Sequence, residues 1–146
     1  EALELALDKD LDLIEISPNQ AQNYHLLGTV QVYMGKLNEA EKSFRKSLKI
    51  NPNYAHSYAG LGSITGHRKK YPDGIPFFKK ALELQPNFAL AHWGIGIAYY
   101  MNQQYDLAIK HFKRNIELTP KSRYAGYSRK YMNRAILKIS QGNVKN

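Results

Sequence analysis

The five histidines, His25, His56, His67, His92 and His111, are the side chains with the widest chemical reach in this 146-residue chain, because imidazole ligates metals and exchanges protons near neutral pH. His25, His56 and His67 fall on stretches whose spacing predicts neighbouring helices, so a two- or three-His metal site is conceivable. They have no cysteine or carboxylate partners of the kind that complete such sites, and the preferred reading makes them polar, ligand-facing hydrogen bonders. His92 is expected to be a packing residue and His111 a solvated neighbour of Phe112. Zero cysteine excludes thiol catalysis, iron–sulfur clusters and disulfides and leaves the compartment open. There is no His-Glu-x-x-His zinc helix and no calcium loop of alternating acids. Gly28 to Lys36 lacks phosphate-loop spacing, and Gly60, Gly62 and Gly66 follow no strand. A serine nucleophile would need a base, an orienting acid and a strained elbow, and none is visible. The residues therefore imply no catalysis, no metal and no cofactor.

Charge is the second chemical signal. Lys and Arg number 21 against 12 Asp and Glu, for a formal charge of +9. Residues 1 to 20 hold six acids (Glu1, Glu4, Asp8, Asp10, Asp12, Glu15) and one base, Lys9, whereas no acid follows Glu117. Arg45 and Lys46, Lys79 and Lys80, and Lys113 and Arg114 recur 34 residues apart. Together with Arg68, Lys69, Lys70 and a basic C-terminal helix bearing three tyrosines, they could track a phosphate backbone on the convex side or bind an acidic protein partner, and the basic C-terminal segment could also face the chain's own acidic start. The competing reading is an ordinary solvated outer face. The acidic start and basic end also allow head-to-tail self-association. No apolar run approaches the ~18 residues of a membrane span, so no membrane insertion is expected.

The elements that position these groups follow from a 34-residue period. Pro18, Pro52, Pro86 and Pro120 keep that step, as do Gly28, Gly62 and Gly96, Phe44, Phe78 and Phe112, and Ala21, Ala55 and Ala89. Within each unit the apolar residues fall at helical spacing, as in Tyr24, Leu27, Gly28 and then Ala40, Phe44, Leu48, with Gly35 between the two runs. Each unit is thus a helix, a short turn and a second helix, ended by proline. The glycine inside each first helix costs ~1 kcal/mol of propensity, which close approach of a neighbouring helix explains.

An aromatic, then Leu-Gly, an aromatic, Ala, Phe and Pro over 34 residues resembles the tetratricopeptide repeat family. The first full unit shows Tyr24, Leu27, Gly28, Ala40, Phe44 and Pro52, with Gln31 in the second aromatic slot. The second has Tyr58, Leu61, Gly62, Ala81 and Pro86, with Thr65 in that slot and Gly74 where a close-packing Ala is expected. The third keeps Ile95, Gly96, Tyr99, Ala108, Phe112 and Pro120, with His92 at the first aromatic slot. Residues 1 to 20 are similar to the second helix of a preceding, truncated unit. Full units are expected over 21 to 54, 55 to 88 and 89 to 122. A capping helix over 123 to 141 would bury a stripe of Tyr124, Tyr127, Tyr131, Ala135 and Ile139, leaving 142 to 146 as a tail.

The resemblance implies a single all-α domain: a right-handed superhelix of antiparallel helix pairs, an α-solenoid, closed by that cap. It also implies a non-catalytic scaffold that seats a partner peptide or helix in its concave groove. His25, Thr29 and Tyr33, then His56, Ser63 and His67, share the groove-facing side of successive first helices as polar contacts. Trp93, Ile97 and Tyr100 follow as apolar anchors. Two readings of that aromatic group stay open, groove lining or core covered by the C-terminal helix. One groove type in this family grips the carboxylate of chaperone tails with Lys, Arg and Asn. Here those slots hold His25, Thr29, Gly60, Leu90 and Gly94, which disfavours an acidic chaperone tail.

Overall fold

A computed structural model describes residues 19–143. Among them are seven helices and no strand: α1 (Gln20–Tyr33), α2 (Leu37–Ile50), α3 (Ala55–His67), α4 (Tyr71–Leu84), α5 (Ala89–Met101), α6 (Tyr105–Leu118) and α7 (Arg123–Asn143). The half-unit expected before residue 21 lies outside the described residues up to residue 18. Helices α1 and α2, α3 and α4, and α5 and α6 pack as consecutive pairs, each pair stacks on the next, and α7 packs on both α6 and α5. The result is a right-handed α-solenoid with a terminal helix.

The two helices of a pair differ because their surroundings differ. A first helix has neighbours on two sides, so α5 is apolar nearly all round and buries Ala91, Ile95, Ala98 and Tyr99. A second helix buries one stripe, such as Ala40 and Phe44 in α2 or Ala108 and Phe112 in α6, and turns its charges outward.

Phenylalanine sets the spacing of the stack. Phe44 of α2 is wedged between Gly28 of its own pair and Gly60 of the next. A Cβ at either glycine would come within 2.7 Å of the ring. Phe78 fills the same place between Gly62 and Gly94, and Phe112 lies against Gly96. In α7 the position corresponding to Gly60 and Gly94 is Ser128, whose hydroxyl donates to Asn115 Oδ1 at 2.9 Å. The two departures in the second unit belong together. Thr65 donates to the Gly62 carbonyl at 2.7 Å, and a Cβ on Gly74 would collide with the Thr65 hydroxyl oxygen. Buried polar ties recur in register as well. Ser47 Oγ donates to the Ala21 carbonyl at 2.7 Å and Asn115 Nδ2 to the Ala89 carbonyl at 2.8 Å.

Every first helix ends in the same left-handed cap. Gly35, Lys69 and Gln103, 34 residues apart, have φ of 75°, 58° and 59°. At each, the residue's own N–H and the next one return to carbonyls of the last turn, as in Gly35 to Val32 and Lys36 to Gln31. Only the first of the three is a glycine, so the sequence marked one cap of three.

Helix α7 closes the stack with a polar outer face. The slots that hold Tyr24, Leu27, Gly28 and Gln31 in the first unit hold exposed Gly126, Arg129, Lys130 and Asn133, so no apolar seat remains for a following second helix. The expected stripe on α7 needs correction. Tyr127 is 44% exposed, and the buried line runs through Ala125, Ser128 and Ala135 with Tyr124, Tyr131 and Met132 at its borders. The cap rotates to this line because it packs on α5 and α6 together.

Replacing Lys69 or Gln103 by Gly removes left-handed strain and should raise stability by about 0.5–1 kcal/mol each. Gly62→Ala should instead cost about 1–3 kcal/mol, because Phe78 is held from its other side by Gly94. Gly126→Ala, where a Cβ meets nothing within 4 Å, should gain about 1 kcal/mol from helix propensity. Thermal unfolding followed by circular dichroism measures all four.

Candidate partner-binding groove

The candidate groove wall is the row formed by α1, α3, α5 and α7, the first helix of each pair and the cap, each in contact with the next. Residues 31 apart meet across adjacent helices. The His25 and His56 rings lie 5.7 Å apart, Trp93 and Tyr124 4.9 Å, and Tyr100 and Tyr131 5.1 Å. None of these four helices contains an Asp or Glu. All acids among the described residues (Glu39, Glu41, Asp73, Glu83, Asp106 and Glu117) sit on α2, α4 and α6.

The N-terminal half is polar and largely internally satisfied. His25 is half-buried against Phe44 and Tyr54, with Nδ1 3.4 Å from Ser57 Oγ. Ser57 donates onward to Ser47 Oγ at 2.7 Å. Burial, and then the neighbouring His56, hold the His25 pKa at about 4, so the ring is neutral at pH 7. The Thr29 hydroxyl donates to the His25 carbonyl at 3.0 Å and is thus committed within its own helix. His56 is exposed and leans on the Phe88 ring at 4.5 Å. Ser63 and His67 are exposed, and Tyr33 is 85% exposed. His67 does not join His25 and His56. No group of three or more metal-ligating side chains forms among the described residues.

The C-terminal half is aromatic. Trp93, Ile97 and Tyr100 are each half-buried, with Tyr124 of α7 packed on Trp93 and Tyr131 on Tyr100. Leu90 and Met101 flank them on α5 at 42% and 46% exposure. The Trp93 indole N–H is buried and has no acceptor among the described residues, a state that costs ~1–3 kcal/mol relative to a satisfied donor. The guanidinium of Arg123 lies 5.3 Å over the Tyr124 ring and that of Arg134 5.7 Å over Tyr131. Sequence reasoning assigned Tyr124, Tyr127 and Tyr131 to core packing and did not place them in the groove. Their 34-residue step from Leu90, Trp93 and Ile97 was the available signal.

On the convex side the repeated basic pairs are mostly engaged. Arg45 binds Glu41 at 2.8 Å, Lys80 binds Glu83 at 3.0 Å, and Arg114 binds Glu117 at 2.9 Å and Asn87 at 2.7 Å. Lys46 lies over the Tyr24 ring at 4.3 Å. Lys79 and Lys113 are exposed.

The expectations for His111 and His92 need correction. His111 is half-buried, stacked on Tyr99 at 5.6 Å, with Nδ1 3.0 Å from His92 Nδ1. His92 Nε2 lies 2.9 Å from the Pro86 carbonyl, so that nitrogen carries the proton and His92 Nδ1 accepts from His111. The sequence missed this because Ser43 and Phe77 occupy the His111 slot in the other units. The pair borders an open cleft of about 670 Å³ with Lys110, Arg114 and Glu117. Burial first, then His92, Lys110 and Lys79, bring the His111 pKa to about 4.

Family comparison places residues 21–54 and residues 67–123 in two families, each described as tetratricopeptide repeat. The chain belongs to the tetratricopeptide repeat family. Among solved structures it is similar to the first such domain of Spaghetti (RPAP3) bound to the HSP90 peptide SRMEEVD. That match has 18% identity and a TM-score of 0.77, and covers 86% of this chain and 97% of that one. The TPR2B domain of yeast Sti1 in complex with pHsp70 matches at 19% identity and TM-score 0.74, covering 81% and 97%. The first TPR domain of human RPAP3 matches at 21% and 0.77, covering 86% and 98%. No curated protein matches.

An unfolded chain protonates His25 and His111 near pH 6.5, the folded chain only near pH 4. Between those values the unfolded state holds more protons, so the stability present above pH 6.5 is lost as pH falls toward 4. His111→Phe, which copies Phe77 of the preceding repeat, should show a smaller fall in Tm across that window than the parent. An equal fall would mean that His111 is not held neutral by its surroundings.

Proposed function

We propose that this tetratricopeptide repeat domain is a non-catalytic scaffold that seats a segment of a partner protein in its concave groove. The observation that carries this reading is the exposed apolar group of Leu90, Met101 and Tyr127 on an acid-free concave wall. Surface apolar side chains that converge on a concave face suit a partner's anchor residues better than solvent. Support comes also from two structural relatives that hold, respectively, an HSP90 peptide and pHsp70. His56, Ser63, His67 and Tyr33 serve as adaptable polar contacts, and Trp93, Ile97 and Tyr100 form the apolar floor. His25 and Thr29 contribute by fixing the wall, since their polar atoms are already engaged.

Two other surfaces have weaker support. A nucleic-acid ridge on the convex side would have to break the pairs of Arg45, Lys80 and Arg114 with their carboxylates before tracking phosphates. Head-to-tail stacking through α7 would press a second helix onto Arg129 and Lys130.

Peptides selected from a displayed random library on the immobilised protein test the reading. Leu90→Asp, a surface change, should weaken the selected peptides at least about tenfold. A double Lys79→Glu, Lys113→Glu variant should leave their affinity within about threefold. The opposite ranking would move the binding surface to the convex side.

A further inference from the structure

The groove is not chemically uniform, and its charge is placed at one end. Helices α1, α3 and α5 carry no Asp, Glu, Lys or Arg at all, whereas α7 carries five cations and no acid. On α7, Arg123, Tyr127 and Arg134 fall on one side at spacings of four and seven residues. Both guanidinium groups lie on tyrosine rings of the aromatic half. Among the described residues the acids are all on α2, α4 and α6, and none is on α7 or on the helices beside it in the row of first helices. Beside this charged stripe lies the buried Trp93 indole N–H, a donor without an acceptor, covered by the Tyr124 ring.

Resting on the groove reading above, we propose that the C-terminal half of the groove takes an internal, acidic peptide segment. One large apolar side chain of that segment seats beside Trp93 and Tyr127, and Asp or Glu on either side of it face Arg123 and Arg134. The two arginines are eleven residues apart on one helix, ~16 Å along its axis. An extended chain covers that distance in about five residues. Carboxylates separated by that step, with the anchor between them, match both cations at once. A single terminal carboxylate cannot, because it does not reach both arginines across that distance. In the polar half α1 and α3 carry no Lys or Arg to pair a terminal carboxylate, the Thr29 hydroxyl is spent on its own helix, and His25 is wedged between Phe44 and Tyr54. When the anchor enters, the Tyr124 ring swings from Trp93, and a carbonyl of the bound chain takes the indole N–H.

The protein's sole tryptophan is the one at this site, so its fluorescence reads occupancy directly. The probe is a synthetic peptide, acetylated and amidated, with one central Phe and Glu residues spaced to meet the two arginines. Three companions carry Lys for Glu, Ser for Phe, or a free C-terminus. The acidic Phe peptide is expected to shift Trp93 emission saturably, with the Lys and Ser companions bound at least about tenfold more weakly. The free-acid form should bind as the amide does. The Arg123→Gln, Arg134→Gln variant, both changes at exposed positions and checked by circular dichroism, should lose about tenfold for the acidic peptide alone. Equal binding of the acidic and Lys peptides would overturn the proposal, as would a strong preference for the free C-terminus. If library-selected peptides bind through Leu90 while the acidic peptide leaves Trp93 unmoved, this inference fails and the groove reading stands. If neither binds, both fail.

Discussion

The contact on which the rest of this structure depends is a phenylalanine ring held between two glycines that belong to successive helix pairs. Phe44 and Phe78 each touch a glycine of their own pair and one of the next. Because the ring replaces side chains that both first helices lack, the distance and angle between pairs are set by one rigid group. A core built in this way leaves little room for adjustment, since added volume at the contact must move a whole pair. The same constraint forces the first helices side by side, and four parallel first helices in a curved row are what make a concave wall.

Charge is then sorted by this architecture. Second helices have one face in solvent and carry all the described acids, with Glu41, Glu83 and Glu117 each paired to a Lys or Arg of the same helix. First helices have almost no free surface other than the concave wall, and α1, α3 and α5 carry no charge there beyond histidine. Burial keeps His25 neutral at pH 7, and α1 and α3 carry no Asp, Glu, Lys or Arg, so the wall of the first two pairs is polar with no fixed charge. Fixed positive charge reaches the groove only where α7 begins. The convex pairs, being exposed, contribute little to stability, but they occupy the cations that a convex anion site would use.

Much of the fold was legible in the sequence because its determinants repeat. Proline, glycine and phenylalanine at one fixed step report the stops, the close approaches and the wedges directly. What could not be read were places where chemistry differs while backbone geometry is kept. The left-handed caps at Lys69 and Gln103 look nothing like Gly35, because hydrogen bonds of the cap, and not the side chain, hold φ positive. Gly74 looked like an irregularity until Thr65 supplied the oxygen it makes room for. The His92 and His111 contact joins a slot that holds Tyr in the other two units to one that holds Ser43 and Phe77, so periodicity is silent about it. On α7, the sequence placed Tyr127 in the buried stripe, and the structure leaves it exposed. A tyrosine stripe at helical spacing has no mark that separates inner from outer rings.

The cap has two tasks, and the residues that serve them sit on different sides of one helix. Toward α6 it offers small residues, Ala125, Ser128 and Ala135, all fully buried, so that α7 packs as closely as a first helix would. On the side where another second helix would pack, it offers Arg129, Lys130 and Asn133, which end the apolar core. Between these two sides lie Tyr124, Tyr127 and Tyr131 with Arg123 and Arg134, in register with the groove residues of α5. Solubilising the end of a solenoid requires cations or other polar groups on the terminal helix, and the helix's place in the row puts part of that charge at the groove mouth. The requirement that stops the stack therefore also makes one end of the row of first helices unlike the other.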